Sequence, residues 1–190
     1  MWKGNIVLKD VQLVKAIQRG ESKAYEQFVG TYLQSLYAFF LGMGFSPSSA
    51  EDTVQETFLE LWRSFGGYRG EASLRTWVFL IGRRTAWKHI KKDKKHFLAE
   101  EDDGLALEEE VTPNQEEWLW IKERNDLLHK CISQLPAIYR EILLLHYMEE
   151  LSYQELAQSL DIAQGTAKSR LSKALSLLRK KVTVQFTLRQ

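Results

Sequence analysis

Apolar residues recur at helical spacing along almost the whole of this chain, and no run of alternating β-branched residues breaks the pattern. Leu13, Val14 and Ile17 begin it, and Phe28, Tyr32, Leu36 and Phe39 carry it on at intervals of four, four and three residues. A half-buried strand needs an alternation of period two, so a sheet protein is excluded and an all-α fold is predicted. Only Pro47, Pro113 and Pro136 can interrupt helices through a missing N–H. Beyond the break at residues 42–47, Ser49 (or Ser48) is placed to cap a helix carrying Val54, Phe58, Leu61 and Trp62. That cap puts Glu51 and Asp52 in the first turn, where negative charge complements the helix dipole. Gly66, Gly67 and Gly70 mark a loop. A long helix then runs from about Ser73 through Trp77, Leu80, Ile81 and Trp87 into a lysine cluster.

The composition changes abruptly at Leu98. From there to Thr112 the chain carries Glu100, Glu101, Asp102, Asp103, Glu108, Glu109 and Glu110, with no lysine or arginine. Such a stretch repels itself and has little to bury, so residues 98–112 read as an acidic flexible linker. Thr112, Pro113 and Gln115 then supply the N-cap, the proline at the first helical position and the glutamine that starts a new helix. The predicted organisation is two small helical domains, residues 1–97 and 113–190, joined by that linker. A chain of 190 residues, 44% hydrophobic and 27% charged, is long enough to bury two such cores. In the second domain, Pro136 divides one helix from the next, which carries Ile138, Ile142, Leu145 and Tyr147.

Residues 151–174, LSYQELAQSLDIAQGTAKSRLSKA, read as two short helices joined by a tight turn. Ser152 and Glu155 form a capping box at the start of the first. Leu156, Ala157 and Leu160 make its inner face, and Ala157 is small enough to let the second helix approach. Residues 161–165 turn the chain, with Ile162 plugging the core. Leu171, Ala174, Leu175 and Leu178 are expected to bury one side of the second helix. Thr166, Lys168, Ser169, Ser172 and Lys173 then face outward, with Arg170 at the boundary. Lys168, Arg170, Lys173, Arg179, Lys180 and Lys181 are unaccompanied by any acid. A helix N-terminus offers N–H groups to a DNA phosphate, and lysine or arginine further along can reach guanine O6 and N7 in the major groove. The segment has the form of a DNA-binding helix-turn-helix; the bland alternative is a solvated amphipathic helix of a bundle.

A second basic cluster lies in the first domain. Arg83, Arg84, Lys88, Lys91, Lys92, Lys94 and Lys95 stand with Asp93 as their only acid, and Tyr68, Trp77, Phe79 and Trp87 lie nearby. Basic side chains interleaved with aromatics suit a single strand whose bases have left the stack. Core packing is the ordinary role for any one of these aromatics, and a solvated helix end for the lysines. The net charge of the whole chain is only +1, so what matters is its distribution. Cys131 has no second cysteine to pair with, which suits a reducing cytoplasm. His89, His96, His129 and His146 lack paired metal-ligand spacing, and neither a Gly-rich phosphate loop nor a nucleophile motif is visible. No metal, cofactor or catalytic residue is expected, and the chain is not read as an enzyme. The N-terminus lacks a signal-peptide core and the longest apolar runs are too short for a bilayer, so a soluble cytoplasmic protein without membrane insertion is expected.

Four stretches taken together resemble the extracytoplasmic-function (ECF, group IV) sigma factors of the bacterial sigma-70 family. They are AEDTVQETFLELW at residues 50–62, YRGEASLRTW at 68–77, LPAIYREILLL at 135–145 and GTAKSRL at 165–171. They follow the family's order from about Ala24 to Lys180. The resemblance implies that residues 1–97 are a sigma-2 domain that recognises and melts the −10 promoter element. Residues 113–190 are then a sigma-4 domain that reads the −35 element as duplex. It implies that Asp52, Gln55 and Glu56 bind the clamp helices of the RNA polymerase core and that sigma-4 meets the flap region. It further implies that Tyr68, Arg75, Trp77, Arg83, Arg84, Lys88, Lys91 and Lys92 contact −10 DNA, the loop at residues 66–75 forming a pocket for a flipped base. Thr166, Lys168, Ser169, Arg170 and Lys173 would contact −35 DNA. The linker is similar to the family's segment that threads the RNA path of the polymerase. An anti-sigma factor is an implied partner. The chain departs from the family at Arg84, where asparagine is usual, at Lys88, where an acid is usual, at Ala163 for a turn proline and at Leu175 for a basic residue.

A tether of this length spans about 20 Å as a flexible coil, from roughly 5–6 Å times the square root of its length. Alone it cannot fix two DNA sites relative to each other, so a rigid partner must hold them. Two rival classes are weaker. A homodimeric helix-turn-helix regulator that binds an operator without polymerase leaves residues 50–62 and the basic-aromatic cluster unexplained. A helical nucleic-acid enzyme has no visible chemistry to use.

Overall fold

The computed structural model describes residues 2–92 and 127–187. The acidic linker at 98–112, the cap at Thr112 to Gln115, Asp93, Lys94, Lys95 and His96 lie outside the described residues, as do the predicted domain boundaries at 97 and 113. The first half comprises α1 (Trp2–Gln18), α2 (Ser22–Gly42), α3 (Pro47–Ser64), a 3-10 turn (Phe65–Gly67) and α4 (Leu74–Lys92). The second half comprises α5 (127–133), α6 (Ala137–Tyr147), α7 (Tyr153–Leu160) and α8 (Gln164–Thr187). Among the described residues there are helices and turns and no strand, as the periodicity requires.

Local chemistry sets the helix ends. Gly44, at a φ of +92°, turns the chain out of α2, a conformation that costs glycine little. Ser46, not Ser48 or Ser49, caps α3: its hydroxyl accepts from the Ser49 N–H at 3.2 Å, and Pro47 takes the first helical position, where no N–H is needed. Glu51 and Asp52 therefore stand one turn deeper than the sequence suggested. Asp10 of α1 supplies a cap from another helix, its carboxylate accepting the Leu74 N–H at 2.8 Å at the start of α4. Burial raises the pKa of that carboxyl, and the hydrogen bond opposes the rise. The capping box of α7 is formed in full, with Ser152 N–H donating to Glu155 at 2.9 Å. Asp161, in the left-handed region at φ 54°, ends α7 and opens the turn to α8.

Phe28, Leu36, Phe39, Phe40, Leu61 and Phe79 are fully enclosed in the first half, at about 1.5–3 kcal/mol of burial for each such side chain. Phe79 meets Phe39 edge-on at 5.5 Å, so it belongs to this core and not to the basic-aromatic surface with which its sequence position grouped it. Thr53 and Thr57 are buried without cost to their hydroxyls, which donate to carbonyls one turn back at 2.6 and 2.7 Å. Trp62, in contrast, is 50% exposed on α3, its ring meeting Tyr25 at 4.9 Å.

In the second half Leu135, Ile142, Leu145, Leu156, Leu160, Ala167, Leu171 and Ala174 are enclosed, together with Cys131. Ile162 packs against them as expected. Leu175 was expected among them and is exposed instead. The stripe that α6 and α7 can cover on α8 runs through 167, 171, 174 and 178, and Leu175 lies about 40° beyond its edge at Leu171. Ile138 and Tyr147 of α6 likewise face outward.

The two halves are packed against each other, α4 on α7 and α2 on α6, and their buried residues form one contiguous apolar core. A tether alone would leave them unplaced; direct contact between the halves places them here. Gly42 permits the approach of α2 to α6, since a Cβ there would lie 2.7 Å from a Leu144 methyl. The Arg140 guanidinium donates to the Met43 carbonyl at 2.6 Å and to the Leu135 carbonyl at 3.0 Å, bridging the halves. No helix among the described residues is long and apolar enough to cross a membrane, and none of the described side chains cluster as a metal site would need.

Candidate nucleic-acid interface

The first cationic surface is the N-terminal part of α8. Thr166, Lys168, Ser169, Ser172 and Lys173 are all exposed there, and Arg170 is half-buried at the edge. They reach solvent because Ala167, Leu171 and Ala174 occupy the opposite side, buried against α6 and α7. The Ser169 hydroxyl donates to the Thr166 carbonyl at 3.0 Å. The helix is 24 residues long, about 36 Å at 1.5 Å per residue, and its first turn projects from the tight turn after α7. A helix so presented can enter a major groove with its N–H groups toward phosphate and its lysines toward base edges.

The second cationic surface, on α4, is divided. Arg84, Lys88 and Lys91 fall at intervals of four and three and form an exposed row. Lys92 belongs to the same helix. Arg83 and Trp87, also four apart, form a different row that faces the second half. At the front of the helix, the Tyr68 ring stands 5.2 Å from Trp77, whose ring lies tilted against buried Phe65 at 5.7 Å. The Tyr68 hydroxyl donates to the Ala72 carbonyl at 2.9 Å, closing the loop. Burial, with a smaller contribution from the Asp10 charge, pushes the Tyr68 phenol up to about 12, so it remains a neutral donor. Rigid, half-buried aromatics beside arginines make a platform on which an unstacked base can rest.

Several of these cations already have partners. Arg83 Nε donates to Glu141 Oε1 at 2.6 Å and the Trp87 indole donates to the same oxygen at 2.7 Å. Arg75 Nη2 donates to Glu149 Oε2 at 2.7 Å. Both carboxylates come from the second half and both are buried, Glu141 completely. Burial raises the pKa of each, opposed by Arg83 and Trp87 at Glu141 and by Arg75 at Glu149. Arg170 adds a favourable charge to Glu141 at longer range. On the first half, Glu56 accepts from Lys88 Nζ at 2.6 Å and contacts His89 Nε2 at 2.5 Å. These bonds, Lys88 first, hold the Glu56 carboxyl below the usual carboxylate range. Asp52 and Gln55 remain exposed beside it. Lys88, grouped by sequence with the DNA contacts, and Glu56, grouped with the protein contacts, are thus one pair.

Sequence reasoning passed over Glu141, Glu149 and Arg140. Glu141 carried a legible signal: it lies four residues before Leu145 and next to Ile142, on the face that α6 buries. An acid at that spacing demands a partner. Glu149 lies after the last turn of α6, where no periodicity identifies it.

Residues 28–96 match the family model described as Sigma-70 region 2, and residues 125–178 match that described as Sigma-70, region 4. The chain is 30% identical over 184 residues to the ECF RNA polymerase sigma-E factor of Haemophilus influenzae, covering 92% of this chain and 96% of that protein. It is 29% identical to the RNA polymerase sigma-H factor of Pseudomonas aeruginosa, over 87% of this chain and 90% of the other. Among solved structures, the sigma factor RpoE of Bartonella quintana, crystallised with the anti-sigma factor NepR, matches with a TM-score of 0.65 at 27% identity. That match covers 85% of this chain and 98% of that one.

Proposed function

Because the chain belongs to the ECF sigma factors of the sigma-70 family, we propose that it is an alternative sigma factor that binds RNA polymerase core and directs it to promoters. The observation that carries this is the pairing of two different cationic surfaces on two halves that match region 2 and region 4 in the family's order. The α8 surface, convex and helical, suits duplex DNA at a −35 element. Thr166, Lys168, Ser169, Arg170 and Lys173 are its contacts. The α4 surface with its Tyr68–Trp77 platform suits the opened strand of a −10 element. Tyr68, Arg75, Trp77, Arg83, Arg84, Lys91 and Lys92 are its contacts, and Lys88 joins them when released from Glu56. Asp52, Gln55 and Glu56 on α3 form the contact with the polymerase clamp, and the exposed Trp62 on the same helix extends it.

The protein acts by binding and positioning, carries no catalysis of its own, and works in the cytoplasm beside the polymerase. Residues 1–97 and 113–190 are the two functional units, and 98–112 connects them. An anti-sigma factor completes the set of partners: the solved relative named above is held by one. A homodimeric operator-binding regulator has no observation in its favour, since it leaves the α3 and α4 surfaces without a role. Run-off transcription on genomic fragments with purified core polymerase tests the proposal. Initiation at discrete start sites only when this protein is added is the expected result; operator binding without polymerase, and no initiation, would contradict it.

A further inference from the structure

The contact between the halves uses the same side chains that the −10 reading assigns to DNA. Arg83 is only 21% exposed and is held by a carboxylate that is fully buried, while Trp87 donates its indole N–H to the same oxygen. Arg75 is held by Glu149, whose side chain is 2% exposed. An anionic oxygen accepting from an arginine and from a neighbouring N–H is what a DNA phosphate would offer at this place. Around these pairs the halves meet through ordinary contacts. Gly42 lies against Leu144, Arg140 reaches the Met43 carbonyl, and the Ser159 hydroxyl lies 3.4 Å from the Thr76 carbonyl.

We propose that Glu141 and Glu149 are an internal stand-in for the promoter strand, latching the second half onto α4 so that closure of the chain and strand binding exclude each other. The proposal rests on the reading of Arg75 and Arg83 as strand contacts. Its physical basis is competition for one set of donors: Nε of Arg83 and the indole N–H cannot serve a phosphate while Glu141 occupies them. The exposed row of Arg84, Lys88 and Lys91 stays outside the latch and makes the first encounter with DNA. Arg83 becomes available only after the second half has moved off, whereas Arg75, 44% exposed, is engaged by Glu149 through Nη2 alone. Opening leaves Glu141 without Arg83, and Arg170 is the cation whose charge still reaches it. A free chain in this closed form binds single-stranded DNA weakly, because only its open fraction is competent.

The test places a donor–acceptor dye pair on Lys15→Cys in α1 and Ser176→Cys in α8, both exposed positions, in a Cys131→Ser background of the full chain. Energy transfer is measured without polymerase. Two independent variants open the latch. Glu141→Gln with Glu149→Gln removes both charges at nearly constant shape. Gly42→Leu adds a Cβ whose three nearest neighbours are all atoms of Leu144 of the other half, so it wedges the contact. Both are expected to lower transfer relative to the wild type. With an open population of about a tenth in the wild type, both bind a 20-nucleotide single strand about tenfold more tightly, since apparent affinity scales with the competent fraction. The same strand, added to saturation, lowers transfer in the wild type. Unchanged transfer in both variants overturns the latch. Reduced transfer with unchanged strand affinity overturns the competition. Because transfer is read without core polymerase or promoter, a failure here is distinct from failure of run-off initiation, which bears on the proposed function alone.

Discussion

The cationic face of α8 and the cationic face of α4 differ less in charge than in what surrounds the charge. On α8, Lys168 and Lys173 project into solvent from a helix whose other side is packed, and among the contacts described none is engaged by an acid. On α4, Arg84 and Lys91 are likewise free to solvent, but Arg83 and Lys88 lie against Glu141 and Glu56. A face that meets intact duplex needs no rearrangement, since phosphates and base edges are already outside. A face that receives an unstacked strand needs an aromatic floor and buried donors, and buried donors must have partners before the strand arrives. The internal carboxylates meet that requirement.

The largest effect breaks the contrast at its support. Leu156 of α7 is fully buried and lies in the helix that packs against both α8 and α4. Leu156→Ala is expected to cost about 2–5 kcal/mol and to lower the melting temperature measured by circular dichroism. It should weaken duplex binding, because α7 backs the cationic face of α8, whereas strand binding should not fall, because the second half covers Arg83 on α4 and does not support it. A midpoint and a duplex affinity unchanged from wild type would show that α7 does not support the α8 face.

Next in size are the contacts themselves. Lys168→Ala or Arg170→Ala should reduce −35-dependent transcription by on the order of tenfold, as loss of one base or phosphate contact of about 1–3 kcal/mol implies. Core binding should persist. Arg84→Ala instead should leave −35 dependence intact and reduce the salt dependence of strand binding by about one unit of log–log slope, as loss of a single phosphate contact does. If both substitutions act alike on both readouts, the two faces do not divide the promoter between them.

The smallest effect concerns the Glu56 pair. Its carboxyl is held below the ordinary carboxylate range by Lys88 and His89. A group depressed in the folded state lends stability above its unfolded pKa, and that contribution is lost as pH falls through the folded value. NMR titration of the Glu56 carboxyl should therefore give a midpoint below that of a free glutamate, and Lys88→Ala should move it back up. A midpoint indifferent to Lys88 would remove the link between the α3 and α4 surfaces.

Much of the fold was legible because helices announce themselves by period: Phe28, Leu36 and Phe39, or Leu156 and Leu160, are buried where spacing placed them. The capping box at Ser152 was legible because two side chains at a fixed interval satisfy each other's backbone. The cap at Ser46 was misplaced for want of one inference, that Pro47 at the first helical position points to the residue before it. Leu175 was misplaced because burial on α8 depends on how wide a stripe α6 and α7 cover, which periodicity alone does not give. The engagement of Arg75 and Arg83 was not legible at all. It joins residues more than fifty positions apart through a packing of halves that no local pattern encodes.

Footprinting of the reconstituted holoenzyme on one of its own promoters tests the division of labour most directly. Hydroxyl-radical protection reports the duplex contact upstream, and permanganate reactivity of thymines reports the opened strand downstream. With Lys168→Ala and Arg170→Ala combined, the upstream protection should fade while any complexes that form still show reactive thymines near −10. With Tyr68→Ala and Trp77→Ala combined, the upstream protection should remain and thymine reactivity should be lost. Loss of both signals in either variant, or of the opposite signal in each, would contradict the account.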